Sequence, residues 1–148
     1  MTVHVEEVRE ATDEVAGALS HLVPQLSASA APPDPATVRR IVGSQATTLL
    51  AARLDGRIVG FLALVVFPIP TGVRAWIEDV VVDETARGQG IGEALTKKAL
   101  DLAEAAGART VDLTTRPSRE AAGRLYERVG FAVRSTRNYR YTFARPAT

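Results

Sequence analysis

Apolar and polar positions along this chain follow two different periods, and each change of period marks an element. Val3, Val5 and Val8 alternate imperfectly with polar residues between Thr2 and Arg9, which predicts a first strand. Thr12-Asp13-Glu14 then opens a helix in which Val15, Ala18, Leu19 and Leu22 fall at helical spacing, ending near Pro24. Small residues and prolines from Leu26 to Pro35 predict a loop, and Asp34-Pro35 reads as cap and first-turn proline of a short helix through Val42. Two β-branched runs, Thr47 to Leu54 and Ile58 to Phe67, flank Asp55-Gly56, a strong hairpin signal. After a break at Pro68 to Gly72, Ala75 to Val82 forms a third strong strand. A glycine-rich turn leads from it into a helix whose apolar stripe is Ile91, Ala94, Leu95, Ala99, Leu102, Ala103 and Ala106, closed by Gly107. A short strand over Thr110 to Thr114, a helix over Arg119 to Val129 and final strands over Phe131 to Val133 and Asn138 to Phe143 complete the pattern.

Such an order predicts a mixed α/β fold in one domain spanning residues 1–148, without internal repeats or an interdomain linker. At 148 residues, 46% apolar and 24% charged, the composition is that of a globular protein with one core. No stretch approaches the ~20 apolar residues of a membrane span. The chain has no Cys, which removes thiolate nucleophiles and Cys-ligated metals. His4 and His21 are its only histidines and lie too far apart in sequence for an ordinary zinc site, so no metal is expected. MTVHVEEVRE lacks the basic and apolar segments of a secretion signal, and a cytoplasmic location is the expectation.

Charge is unevenly spread behind a net +1. From Arg116 onward eight Arg face two Glu, against ten basic and fifteen acidic residues before it. A basic tail admits nucleic-acid binding. The plainer reading is that Arg124 and Arg128, near Glu120 and Glu127, cover the wet face of a helix.

Chemistry concentrates at Arg87-Gly88-Gln89-Gly90-Ile91-Gly92, between a strand and a helix. Glycines there let backbone N–H groups approach a ligand, and the following helix adds its positive end, as in a pyrophosphate cradle. A dinucleotide fingerprint wants glycine where Glu93 stands, and the Gly-Lys-Ser/Thr of a P-loop is missing. By itself the turn also fits a tight strand-to-helix connection.

Two further features narrow the choice. Arg87-x-x-Gly90-x-Gly92 follows the strand Val80-Val81-Val82, and Leu125-Tyr126-Glu127 lies in a helix that ends at Gly130-Phe131. One helix and one strand separate these motifs, and together they resemble the GNAT superfamily of acyl-coenzyme A-dependent acyltransferases from Ala75 to Phe143. The resemblance implies a mixed, mostly antiparallel sheet of about seven strands, splayed in the middle, with helices on both faces. It implies an acetyl-coenzyme A-dependent N-acetyltransferase in which the backbone of Val80, Val81 and Val82 pairs with the pantetheine arm. Amides of Gly88, Gln89, Gly90, Ile91, Gly92 and Glu93, behind Arg87, would hold the pyrophosphate. Tyr126 would protonate the departing thiolate; phenol and thiol differ by only about 1.5 in ordinary pKa. Many members carry Asn seven residues before the Tyr, whereas this chain has Arg119, which shares a face with Tyr126 and either meets a coenzyme A phosphate or is solvated.

Amine attack on a thioester needs a proton acceptor. Period two sets Glu78 and Asp79 on opposite faces of their strand. Trp76-Ile77-Glu78-Asp79 is similar to the strand of polyamine acetyltransferases whose Glu is the base, so Glu78 is the first candidate, with Asp79 and water as alternates. Asp83 and Glu84 read as turn residues. Relatives with a Glu on the next strand have Thr114 as their counterpart here, which closes that route. Trp76 either flanks an acceptor or packs in the core.

The acceptor expected is a small-molecule or peptide primary amine, attacked directly in a ternary complex, with no membrane partner; homodimers are common in the family. Two rivals stand beside this reading. One is an acyl-coenzyme A sensor without catalysis, the other an acetyltransferase directed at aminoacyl-transfer RNA through the basic tail.

Overall fold

Five strands and four helices form in the order β1 (Val3–Glu7), α1 (Asp13–Leu26), α2 (Pro35–Gly43), β2 (Thr47–Leu54), β3 (Arg57–Ile69), β4 (Gly72–Val82), α3 (Ile91–Ala105), β5 (Thr110–Asp112) and α4 (Glu120–Val129). A 3-10 turn, Glu84–Ala86, sits between β4 and α3. The structure is a computed structural model and describes residues 2–144. The strands form one sheet in chain order, antiparallel from β1 through β4 and parallel between β4 and β5, which α3 connects.

Local chemistry explains the boundaries. Thr12 caps α1 by accepting from the Val15 amide, and Asp34 caps α2 through the Thr37 amide with Pro35 behind it. Asp55 and Gly56 both take positive φ, 53° and 82°, the backbone demanded by a two-residue hairpin between β2 and β3. Arg53 ties three elements together, bonding Glu6 on β1, Glu14 on α1 and the Gly56 carbonyl in the hairpin.

Helices cover both sheet faces. On one, Leu50, Val59, Leu62, Leu64, Ala75 and Ile77 pack against Ile91, Leu95, Ala99 and Ala103 of α3. On the other, Leu49, Ala51, Ile58, Phe61 and Val81 meet Val15, Leu19 and Leu22 of α1 and Val38 of α2.

Between Glu78 and Val81 the strand β4 bulges. Ala63 pairs with Glu78 and Phe61 with Val81, so two residues of β4 stand opposite Leu62. Asp79 takes φ 52° there, a left-handed conformation uncommon outside glycine. The extra residue reverses the parity of the strand. Before it Ala75 and Ile77 face α3; after it Val80 and Val82 do, and Val81 faces α1. The expected alternation of Glu78 and Asp79 across the sheet is therefore interrupted at Asp79. Pairing of β4 with β5 ends at Trp76 and Asp112, leaving the outer edge of β4 from Ile77 to Val82 without a strand among the described residues. This is the expected splay.

Three expectations change. Among the described residues the strand count is five rather than about seven: Phe131 to Val133 and Asn138 to Phe143 run as irregular chain. Their alternation reports local preference, but a strand needs an edge to pair with, and β5 has only three residues before the Pro117 loop. Val133, Tyr139, Tyr141 and Phe143 are consequently 75–85% exposed. Second, α1 continues through Pro24 to Leu26, because the proline is exposed and the helix is anchored against the core on both sides of it, by Val23 before and Leu26 after. Third, Arg119 is the residue before α4 rather than its first.

The bulge also explains Gly60. A Cβ at this position would lie 2.9 Å from the Val81 carbonyl oxygen, which is backbone and cannot turn away. Gly60→Ala is expected to lower stability by about 1–3 kcal/mol in urea unfolding. Gly17→Ala, in the exposed middle of α1 with nothing near its Cβ position, should raise it by about 0.5–1 kcal/mol.

Candidate active site

The splay opens a cleft of about 410 Å³ between the free edge of β4, the glycine loop and α4. Its walls include Val80, Val81, Val82, Arg87, Gly88, Gly90, Ile91, Gly92, Glu93, Arg119 and Tyr126. Of the residues expected to bind a cofactor, only Gln89 does not line it; the side-chain Oε1 of Gln89 is buried without a hydrogen-bond partner.

The glycines serve different ends. Gly88 and Gly90 take φ 79° and 78° with empty space where a Cβ would be, so their requirement is conformational. At Gly92 the requirement is spatial: its Cβ would lie 3.2 Å from Cδ1 of Leu125, and α4 packs on the first turn of α3 through this gap. Gly90 has no side chain to cap α3, so the first amides of that helix stay available beside the cleft. Free amides, a helix N-terminus and an unpaired strand edge are complementary to an elongated ligand with a phosphate group.

Charge in the cleft is predominantly positive. Arg87, Arg119 and Arg128 line it with one carboxylate, Glu93, which Arg128 holds at 3.1 Å and Lys97 approaches at 3.8 Å. Arg87 also donates to the Val82 carbonyl at 3.3 Å.

Tyr126 is half-buried beneath Phe131, the rings edge to face at 5.8 Å. Burial pushes its phenol above the usual range, and the nearby Arg119 charge opposes that in part. The group thus keeps its proton through neutral pH and is a donor. Arg119 and Tyr126, two helical turns apart, do share the cleft.

Glu78 lies elsewhere. With Trp76, Thr114, Asn138, Tyr139, Arg140 and Tyr141 it lines a second groove of about 400 Å³ on the other side of the bulge. Glu78 and Tyr126 do not share a cavity. Asp79 is exposed at the bulge and lines neither. Trp76 is half-buried on the groove wall rather than in the core.

Sequence reasoning missed several lining residues. Tyr139 and Tyr141 carried a signal, the period-two aromatics of the tail, but it read as strand. Ala122, four residues before Tyr126, was legible as its helix-face neighbour, whereas Leu125 and Arg128, one and two residues from it, were not. Gln25 and Leu26, at the end of α1, had no local signal, since only the tertiary fold carries them to this cleft.

Asp83 also differs from expectation. It is a turn residue, but buried (4% exposed), and its carboxylate accepts from the Thr85 amide, from His21 and from Gln25.

A comparison with known families and proteins agrees with this geometry. Residues 15–131 match the acetyltransferase (GNAT) family. The chain is 41% identical over 71 residues to N-alpha-acetyltransferase 30 of Schizosaccharomyces pombe, covering 48% of this chain and 47% of that protein. It is 38% identical over 99 residues to glucosamine 6-phosphate N-acetyltransferase of Trypanosoma brucei brucei, covering 65% of each. The chain thus spans about half to two thirds of the length of these relatives. A solved structure described as a transcriptional regulator from Bacillus halodurans C-125 superposes with a TM-score of 0.78 at 30% identity, covering 96% of this chain and all of that one. The chain belongs to the GNAT acetyltransferase family. The cosubstrate of that family is acetyl-coenzyme A.

Burial pushes the Asp83 carboxyl up, but the hydrogen bonds from Thr85, Gln25 and His21 outweigh it and hold the group below the ordinary carboxylate range. A carboxylate lowered in the folded state contributes stability that is complete above its unfolded pKa and lost as pH falls through the folded one. Asp83→Asn should therefore flatten the fall of melting temperature on acidification below about pH 5, measured between pH 3 and 7.

Proposed function

We propose that this protein transfers acetyl from acetyl-coenzyme A to a primary amine by direct attack within a ternary complex, acting as one catalytic unit. The observation that carries this reading is the single cleft in which the glycine loop, the unpaired edge of β4 and Tyr126 meet. Amides from Gly88 through Glu93, including that of Gln89, together with Arg87, Arg119 and Arg128, suit the phosphates of coenzyme A. The free edge at Val80 to Val82 suits the amides of the pantetheine arm, which would add to the sheet as a strand does.

The groove at Glu78 suits the amine. Trp76, Tyr139 and Tyr141 offer aromatic faces beside a carboxylate, a combination that attracts a cationic amine and then accepts its proton. Once Glu78 has taken that proton, directly or through water, the nitrogen lone pair attacks the thioester carbonyl. The carbon–sulfur bond breaks and Tyr126 gives its proton to the leaving thiolate; the new amide nitrogen releases its second proton to solvent, from which Tyr126 regains one. Location of Glu78 in the groove, against Asp79 at neither cavity, favours Glu78 as the base.

The relatives' acceptors, an α-amino group and glucosamine 6-phosphate by their names, share only the primary amine, so the acceptor class is no narrower than that. A second reading has the regulator-like neighbour behind it: a module that binds acyl-coenzyme A without turnover.

Calorimetric titration with acetyl-coenzyme A, followed by a thiol-release screen over amines, tests both readings. Binding with release on one amine class is expected. Binding without release on any amine, peptides included, would favour the sensor, and absence of binding would sink both. Tyr126→Phe should lower kcat about a hundredfold with acetyl-coenzyme A affinity retained. Glu78→Gln should lower kcat by a similar factor and flatten its rise with pH; an unchanged profile would move the base to Asp79 or water.

A further inference from the structure

One side chain reaches the glycine loop from a distant part of the chain. Gln25 belongs to the last turn of α1, beyond Pro24, and lines the coenzyme A cleft. Its Oε1 accepts from the Glu84 amide at 2.9 Å, and its Nε2 donates to Asp83 at 3.5 Å. Beside it His21 lies with Nε2 at 3.1 Å from the other Asp83 oxygen. An ionised carboxylate only accepts, so that nitrogen carries the hydrogen.

These contacts complete the turn that launches the loop. The 3-10 turn Glu84–Ala86 has three amides to satisfy. Ala86 donates to the Asp83 carbonyl, Thr85 to the Asp83 carboxylate, and Glu84 has only Gln25. Asp83 is pinned in turn by its amide, which donates to the Val59 carbonyl at 2.8 Å, and Ala86 is fully packed in the core. The backbone entering Arg87-Gly88 is thus anchored to β3, to the core and to α1. Only the α1 anchor is a side chain from another element.

We infer that Gln25 is a positioning residue for acetyl-coenzyme A: by holding the Glu84 amide and Asp83, it sets the glycine loop in its binding conformation. The inference rests on the reading of that loop as the phosphate cradle. The residue type fits the task. A primary amide both donates and accepts, as Asp83 and the Glu84 amide require, and adds no negative charge beside a site for phosphates. The contact also accounts for the position of Gln25 after Pro24: the turn that a proline would end is held from its far side.

Amide hydrogen exchange of the ligand-free protein, with calorimetric titration of acetyl-coenzyme A, tests this. Gln25→Leu should speed exchange over 84–90 and weaken acetyl-coenzyme A up to about tenfold, the scale of one lost hydrogen bond. Its KM for acetyl-coenzyme A should rise in step while that for the amine holds. Gln25→Asn, too short to reach, should behave likewise and serves if the leucine variant does not fold. Pro24→Ala keeps the amide and should leave exchange and binding unchanged; loosening equal to that of Gln25→Leu would assign the effect to the helix end and overturn the inference. Unchanged exchange and affinity in Gln25→Leu would also overturn it. If the wild-type protein bound no acetyl-coenzyme A, the cradle reading would fall and this role with it, whereas exchange over 84–90 would still report whether Gln25 holds the turn.

Discussion

The bulge at Asp79 is the constraint from which the rest of the site follows. One extra residue opposite Leu62 turns β4 about its own axis, so that the strand leaves β5 after Trp76 and presents an unpaired edge. Backbone N–H and C=O groups left without partners at the middle of a sheet are costly unless something pairs with them. Here they border the cleft that an extended cosubstrate would fill. The parity reversal does a second thing. Trp76 and Glu78 face away from α3 before the bulge, while Val80 and Val82 pack toward α3 after it, so one strand serves a groove and a cleft.

Around the cleft, electrostatics and conformation divide the work. Left-handed glycines at 88 and 90 curve the chain ahead of α3, whose first turn is uncapped. The one lining carboxylate, Glu93, is held by Arg128, which would limit its repulsion of a bound phosphate and docks α4 on α3. Tyr126 then lies in a half-buried environment that keeps its phenol protonated. A buried donor beside cations suits the stabilisation of a leaving anion.

Much of this was legible locally. Thr12, Asp34-Pro35 and Asp55-Gly56 predict the caps and the hairpin because those side chains act on amides within three residues. The stripe from Ile91 to Ala103 predicts the buried face of α3 because a helix repeats every 3.6 residues wherever it packs. The tail misled for the complementary reason. Tyr139, Tyr141 and Phe143 alternate as a strand would, yet pairing depends on an edge supplied by another element, and the three-residue β5 offers little of one.

The sequence by itself determined the elements from β1 to α4 and the glycine loop, and it singled out Tyr126, Arg119 and Glu78 as candidates, since each rests on neighbours a few residues away or on a short motif. Only the tertiary structure decided that Glu78 and Tyr126 line separate cavities, that Gly92 is small for the sake of Leu125, and that His21 and Gln25 grip Asp83 across some sixty positions of chain. Such contacts have no period and no spacing. They arise when the sheet brings α1 over the end of β4, and the hydrogen bonds that satisfy a buried carboxylate are chosen by proximity in space.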